Sequence, residues 1–341
     1  MLNLFKLKIN YKKVLIKAII FCRKPYFYFI YNIKMKLELK YWLLLIFISI
    51  IWGSSFMLMK RGMHTAEGIE IFSNMQVGAI RMTLAGLVLL PVGIYNFNKV
   101  KNLKTFFSIL AVGLFGNFIP AFLFTYAETG LSTGYTGMLN SFTPVFTIII
   151  GGIFFKNKLT QTQFTGLIIS IVGVALLIKT GNSEQQSTSP SEWTHLAAVV
   201  GATFCYAVSL NIIKNLLSDI NAIHTTSIAF SLTLIPALFF IWKTETINTI
   251  QTNNYAINGL IPIAILAIVG TAFAVMLFNN LTLNTTTLFA SSVTYLIPIV
   301  AVIIGSGFGE SISTYQVLSM LIALSGIFVA NRKNIKLKIE L

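Results

Sequence analysis

The stretch LNSFTPVFTIIIGG, residues 139–152, sets Asn140, Ser141, Thr143, Pro144 and Thr147 inside a run otherwise apolar enough to cross a bilayer. At helical spacing, Thr133, Thr136, Asn140, Thr143 or Pro144, and Thr147 share one stripe. Hydroxyl and amide groups offer hydrogen bonding to a ligand, and a polar face of this kind does not point into lipid. It lines a neighbouring helix or a cavity. A second stretch, SSVTYLIPIVAVIIGS at 291–306, repeats the pattern, with Thr287, Ser291, Thr294 and Pro298 on the matching stripe. Each proline removes a backbone donor and frees the carbonyl four residues upstream, that of Asn140 for Pro144 and of Thr294 for Pro298. Such breaks persist in hydrocarbon only where other groups re-satisfy the backbone, so Pro144 and Pro298 are expected as helix breaks beside a cavity. For any single Ser or Thr, helix-to-helix bonding is the competing role.

Other residues extend this candidate site. Trp52, Ser54 and Ser55 match Tyr206, Val208 and Ser209, so aromatic and hydroxyl groups recur at one level of the chain's two halves. Asn117 and Glu128 lie eleven positions apart, about three helical turns, and share a face. Asn279 and Asn280 fall deep in an apolar run. Arg81 sits inside another, where it either holds an anionic substrate or pairs structurally. Glu128, a carboxylate at the end of a membrane segment, is a candidate for substrate or a coupling proton. The expected substrate contacts are therefore Trp52, Ser55, Arg81, Asn117, Glu128 and Thr136, together with Asn140, Tyr206, Asn280, Ser291 and Thr294. His64, His195 and His224 fall near segment ends and are weak proton relays.

Missing residues narrow the chemistry. Asp219 is the sole aspartate, and the chain has no HExxH or Walker sequence. An intramembrane hydrolase or a metal-dependent transferase would lack its ligands and an ATP-driven pump its nucleotide loop, so no catalytic residue, metal or cofactor is expected. Cys22 and Cys205 are too few for a disulfide framework or thiolate metal site.

The elements that must hold these groups are long apolar helices. Of 341 residues 55% are hydrophobic and 10% charged, with a mean hydropathy of +0.79, whereas soluble domains are about 25% charged. A membrane helix needs roughly 20 apolar residues, and runs of that length recur, which predicts an all-α integral membrane protein. Ten spans are expected: roughly 42–60, 72–95, 105–126, 130–155, 161–179, 195–217, 223–242, 258–281, 286–309 and 314–331. Gly151 with Gly152, and Gly166 with Gly173, read as packing surfaces.

Sliding the chain by 154 residues lays Lys60 on Lys214, Gly116 on Gly270, Phe124 on Phe278, Pro144 on Pro298, Gly151 on Gly305 and Thr160 on Thr314. The pattern predicts two five-span repeats, 41–179 and 195–331, joined by a polar linker at 180–194 and followed by a basic tail at 332–341. Five is odd, so the repeats must be inverted in the membrane. With a cytoplasmic N-terminus, twenty Lys and Arg fall inside and four outside, which satisfies the positive-inside rule and places both termini in the cytoplasm of a cell-membrane protein. The formal charge of +15 is thus a signature of topology, and no nucleic-acid partner is expected. The basic N-terminal extension, 1–40, either lies on anionic lipid, or translation starts at Met35 and residues 1–34 are not translated.

IIWGSSFMLMK, the second-span Arg81, LNSFTPVF followed by IIIGGIFFKNKLT, and VTYLIPIVAVIIGSGFGES together resemble the EamA-like branch of the drug/metabolite transporter superfamily. The resemblance covers about residues 41–331. It implies ten helices in two inverted five-helix repeats, a central cavity, and alternating-access movement of small metabolites, often outward, with amino-acid-like compounds as the first guess. The partners implied are a small-molecule substrate and the bilayer, with room for a homodimer. Where the family often has a Glu after a glycine in both repeats, this chain has Glu310 but Lys156, so Glu310 reads as a helix-end anchor. A non-transporting receptor or assembly protein is the rival reading, in which the polar stripes only join helices.

Overall fold

The computed structural model describes residues 39–157, 160–180 and 190–331. The N-terminal extension up to residue 38 with its Met35 start, most of the 180–194 linker and the 332–341 tail lie outside the described residues. Those described are all-helical, with no strand and a single isolated bridge between His64 and Glu70.

Among the described residues nine helices are long and apolar enough to cross a membrane. They are α1 Leu39–Met63, α2 Asn74–Lys99, α3 Leu103–Ala127, α4 Thr133–Phe155, α5 Gln161–Thr180, α6 Trp193–Leu216, α7 Ala222–Lys243, α8 Ala256–Asn284 and α9 Phe289–Gly307. A shorter apolar helix, α10, covers Thr314–Asn331.

Local chemistry sets where these helices begin. Ser73 and Gln76 form a reciprocal capping box at the start of α2. The same exchange joins Thr160 with Gln163 ahead of α5 and Ser313 with Gln316 ahead of α10. Asn102, Ser132 and Asn221 each accept a backbone N–H from the first turn of the helix that follows. Each bond satisfies a donor that a helix start leaves open.

Small residues then decide which helices touch. A Cβ added to Gly173 of α5 would lie 2.2 Å from the Ala323 nitrogen of α10, and one on Gly166 would lie 2.3 Å from the Gly326 carbonyl. Gly93 of α2 comes equally close to Ser231 of α7. Gly137 of α4 faces Ala301 of α9, where an added Cβ would sit 2.4 Å from the Ala301 Cβ. Such backbone approach is how helices gain contact in lipid, which supplies no hydrophobic drive of its own. The outward surface stays apolar, with Phe107, Ile153, Phe154, Ile235, Trp242 and Ile303 among its exposed side chains. Polar groups collect inside.

Both polar stripes interrupt their helices, but not at the prolines. In α4 the helix stops after Leu139 and resumes at Phe142, so Asn140 and Ser141 form the break and Pro144 falls in the first turn of the second segment. Proline suits that turn because its missing N–H would have no intrahelical partner there. In α9 the break is at Ser292, and Pro298 lies inside the second segment. The carbonyl that Pro144 frees, at Asn140, accepts the Thr143 N–H and hydroxyl at 3.2 and 3.1 Å.

Candidate functional site

A cavity lies between α1, α3, α4, α6, α8 and α9, with α2 contributing one residue. Its empty volume is about 850 Å³, the part open to solvent included.

Aromatic side chains form its walls. Trp52 meets Phe278 edge-on at 4.8 Å, Phe56 meets Phe124 at 5.6 Å, and Phe124 stacks on Tyr206 at 5.7 Å. The Trp52 indole N–H donates to the Gly270 carbonyl at 2.9 Å, which fixes its ring against the cavity. Polar atoms enter between the rings from Ser55, Asn117, Asn140, Thr143, Ser209, Asn279 and Thr294. The result is a mostly apolar chamber with a few placed donors and acceptors, as small-molecule sites are built.

Arg81 is the charged member of the lining. It is 7% exposed, its Nε donates to Thr271 Oγ1 at 2.8 Å, and one terminal nitrogen lies 3.8 Å from the Met59 sulfur. Among the described residues no carboxylate lies within ion-pair distance of it; the salt bridge they form is Lys60 with Glu310. A guanidinium has five donors in a planar fork, so Arg81 keeps donor capacity on the cavity side.

Two segments of π-helix shape this wall, Leu114–Phe118 in α3 and Leu266–Phe273 in α8. The first presents Gly116 and Asn117 to the cavity. The second exposes the Gly270 carbonyl to Trp52 and turns Thr271 toward Arg81. The Thr271 hydroxyl also donates five residues back, to the Leu266 carbonyl at 2.9 Å, and so supports the wider turn. Single π turns inside α-helices are frequent at functional sites.

Of the expected contacts, Trp52, Ser55, Arg81, Asn117, Asn140, Tyr206 and Thr294 converge on the cavity. Four do not. Asn280 is exposed on α8, and its neighbour Asn279 takes the cavity position, anchored by Thr226 at 2.8 Å. Adjacent residues on a helix differ by about 100° of rotation, so depth in the sequence could not choose between them. Ser291 is buried behind the lining, and its carbonyl accepts the Thr294 hydroxyl at 2.7 Å. Thr136 is buried beside Glu128 at one end of the bundle. Glu128, 3% exposed, accepts from the Thr133 hydroxyl at 3.2 Å, outside the cavity. Met59, Phe56 and Val275 line the cavity without any signal in the sequence, because apolar side chains in an apolar helix look alike from either side.

A second cluster closes the Lys60 end. The Lys60 ammonium lies 3.1 Å from Glu310, whose two oxygens accept the Thr133 and Gly134 N–H groups at 2.9 Å each. Burial opposes ionisation of Glu310, but those two N–H groups and the Lys60 charge outweigh it and hold its carboxyl below the usual range. One carboxylate thus ties α1, the start of α4 and the end of α9 together. At the opposite end Lys214 of α6 points its ammonium at the Thr282, Leu283 and Thr285 carbonyls, the last turn of α8.

The sequence model of the EamA-like transporter family matches the chain twice, over residues 39–179 and 193–332. The chain belongs to the EamA-like transporter family. As a member it is a multi-pass membrane protein that transports small molecules. The chain is 22% identical over 287 residues to an uncharacterized inner membrane transporter of Escherichia coli, YedA, covering 80% of this chain and 84% of that one. It is 24% identical to a probable terminal-alkyne amino-acid exporter of Streptantibioticus cattleyicolor, covering 88% and 96%. A probable amino-acid metabolite efflux pump of Salmonella typhimurium matches at 27% over 46% of this chain and 48% of its own length. In fold, the chain is similar to a solved crystal structure with a TM-score of 0.60 at 13% identity, covering 88% of this chain and all of the other.

Proposed function

We propose that this EamA-like transporter exports small amphipathic metabolites that carry a carboxylate, amino-acid-like compounds above all, by alternating access through the Arg81 cavity. One observation carries the substrate class: a buried guanidinium faces the cavity, and no carboxylate of the described residues neutralises it. A buried unpaired charge is costly, and a substrate carboxylate that docks in its fork removes that cost. The aromatic walls suit an apolar side chain, and the amide and hydroxyl groups suit an amine or a second polar group. Two of the relatives bear amino-acid export in their names, which agrees.

The architecture proposed with it has α10 as a tenth span, and α1–α5 and α6–α10 as two inverted repeats. Both termini then lie in the cytoplasm, and the Lys60 end faces outward. The breaks at Asn140–Ser141 and Ser292 let α4 and α9 bend between inward-open and outward-open states. No catalytic step, cofactor or second copy is needed for this cycle, although a homodimer is compatible with it.

Asn140→Leu and Thr294→Leu test the site. Each replaces a polar group of the lining by an apolar one, so each variant is expected to insert and fold but to move labelled amino acids more slowly from proteoliposomes. Unchanged flux in both would remove the cavity from the transport path.

A further inference from the structure

We infer that Glu128 is a proton-binding site at the Lys60 mouth of the bundle, loaded while that mouth is closed and emptied when it opens.

The geometry separates two carboxylates that share one helix start. Glu310 is met by two backbone N–H groups and the Lys60 ammonium, all within 3.1 Å. Glu128 has the Thr133 hydroxyl on Oε2, while its Oε1 is buried without a hydrogen-bond partner. The buried Thr136 hydroxyl lies beside it, outside hydrogen-bond geometry but near enough to favour the ionised form weakly. A proton on Oε1 turns an orphaned acceptor into a donor, and Thr136 supplies an acceptor. The unused capacity on both sides of that gap is what a bound proton fills.

The charges around Glu128 agree. Lys60 faces it from α1 and Glu310 from beyond α9, and Lys60 is already engaged by Glu310. Arg61 lies over the Phe308 ring at 5.0 Å, and His195 of α6 bonds Thr129 at 3.1 Å. Two carboxylates against one shared ammonium carry an excess negative charge, and the less solvated of them takes the proton. Burial, opposed by Lys60 and reinforced by Glu310, pushes the Glu128 carboxyl up to about 8, with the Thr136 and Thr133 hydroxyls pulling weakly down.

The sign of the coupling follows. A closed mouth holds Glu128 protonated below that value, and water reaching an open mouth returns it to the ordinary carboxylate range. Acid therefore favours closure, and closure loses that support as pH rises through about 8. The site occurs once. In the 154-residue register Thr282 stands where Glu128 is, and Lys156 where Glu310 is, so neither acid recurs at the matching position of the other end.

The test is a pH titration of the purified full chain in lipid nanodiscs, following the protonated-carboxyl band by infrared difference spectroscopy. Wild type should show a band with a midpoint near pH 8, and Glu128→Gln should lack it. Glu310→Gln should move the midpoint down by removing a negative neighbour. Thr133→Val should move it up by removing a donor to the ionised form. A band that survives Glu128→Gln places the proton elsewhere and overturns the proposal, as does a midpoint in the ordinary carboxylate range. If Glu128→Gln does not fold, the opposed shifts decide: their presence supports the site and their absence refutes it. The readout needs no substrate, so a failed transport assay on the Arg81 cavity leaves it intact.

Discussion

Replacing Arg81 by Gln removes the positive charge from the cavity and leaves an amide that still reaches the Thr271 hydroxyl, which now accepts from Arg81 at 2.8 Å. If a substrate carboxylate docks on the free face of the guanidinium, the variant loses a charge-assisted hydrogen bond. Such bonds contribute about 1.5–3 kcal/mol, and about 1.4 kcal/mol is tenfold in affinity, so binding should weaken roughly 10- to 150-fold. The contrast between ligands is sharper than the loss itself. An amino acid and its neutral amide fill the same volume and differ in the group offered to Arg81. Wild type should prefer the acid, and Arg81→Gln should bind the two alike, as measured by calorimetry on protein in nanodiscs. Arg81→Lys should recover part of the preference, because it restores the charge without the planar fork. A companion variant, Arg81→Met, should melt at higher temperature than wild type in the absence of ligand, since it deletes a buried charge without an acidic partner. Equal loss of acid and amide in Arg81→Gln would refute the docking, because it would show that the substitution deformed the cavity.

Thr271→Val should also lower flux while keeping the acid preference, since it frees Arg81 and weakens the π turn of α8 without removing the charge; loss of the preference would show that Thr271 itself binds substrate. At the periphery, Gly173→Val drives a side chain into the Ala323 backbone of α10, 2.2 Å from an added Cβ. Overpacking of this kind costs about 1–3 kcal/mol, so the melting temperature should fall and ligand affinity at Arg81 should stay unchanged.

Much of the site was legible because two signals coincided. Polar residues in a membrane segment are costly, and the 154-residue shift shows which ones recur, so Asn140 pairs with Thr294 and Trp52 with Tyr206 in the sequence itself. The cavity confirms neither role, but it does gather these side chains. The breaks lie away from the prolines that the sequence marks, because Pro144 and Pro298 both sit inside helical segments. In α4 the helix had already stopped at Asn140, and Pro144 starts its second segment. The π turns are not legible as such: in the sequence Asn117 reads as a polar site residue and Gly116 and Gly270 as a repeat match, none of them as a change of helical geometry. Asn279 and Asn280 show the limit most directly, since a π turn upstream alters which of two adjacent residues faces inward.

The repeat register also exposes an inequality that the fold alone would hide. Lys60 and Lys214 occupy matching positions, yet Lys60 reaches a carboxylate and Lys214 reaches the carbonyls that end α8. Helix-end carbonyls carry a fixed partial negative charge, so the Lys214 contact holds at any pH at which the lysine is charged. The Lys60 contact depends on Glu310 and, through it, on whether Glu128 beside it carries a proton. In a cycle where two halves exchange conformations, identical closures would make the two states equivalent. On the proton-binding role inferred for Glu128, a pH difference across the membrane would bias the Lys60 closure and leave the contact of Lys214 with the helix-end carbonyls as it is.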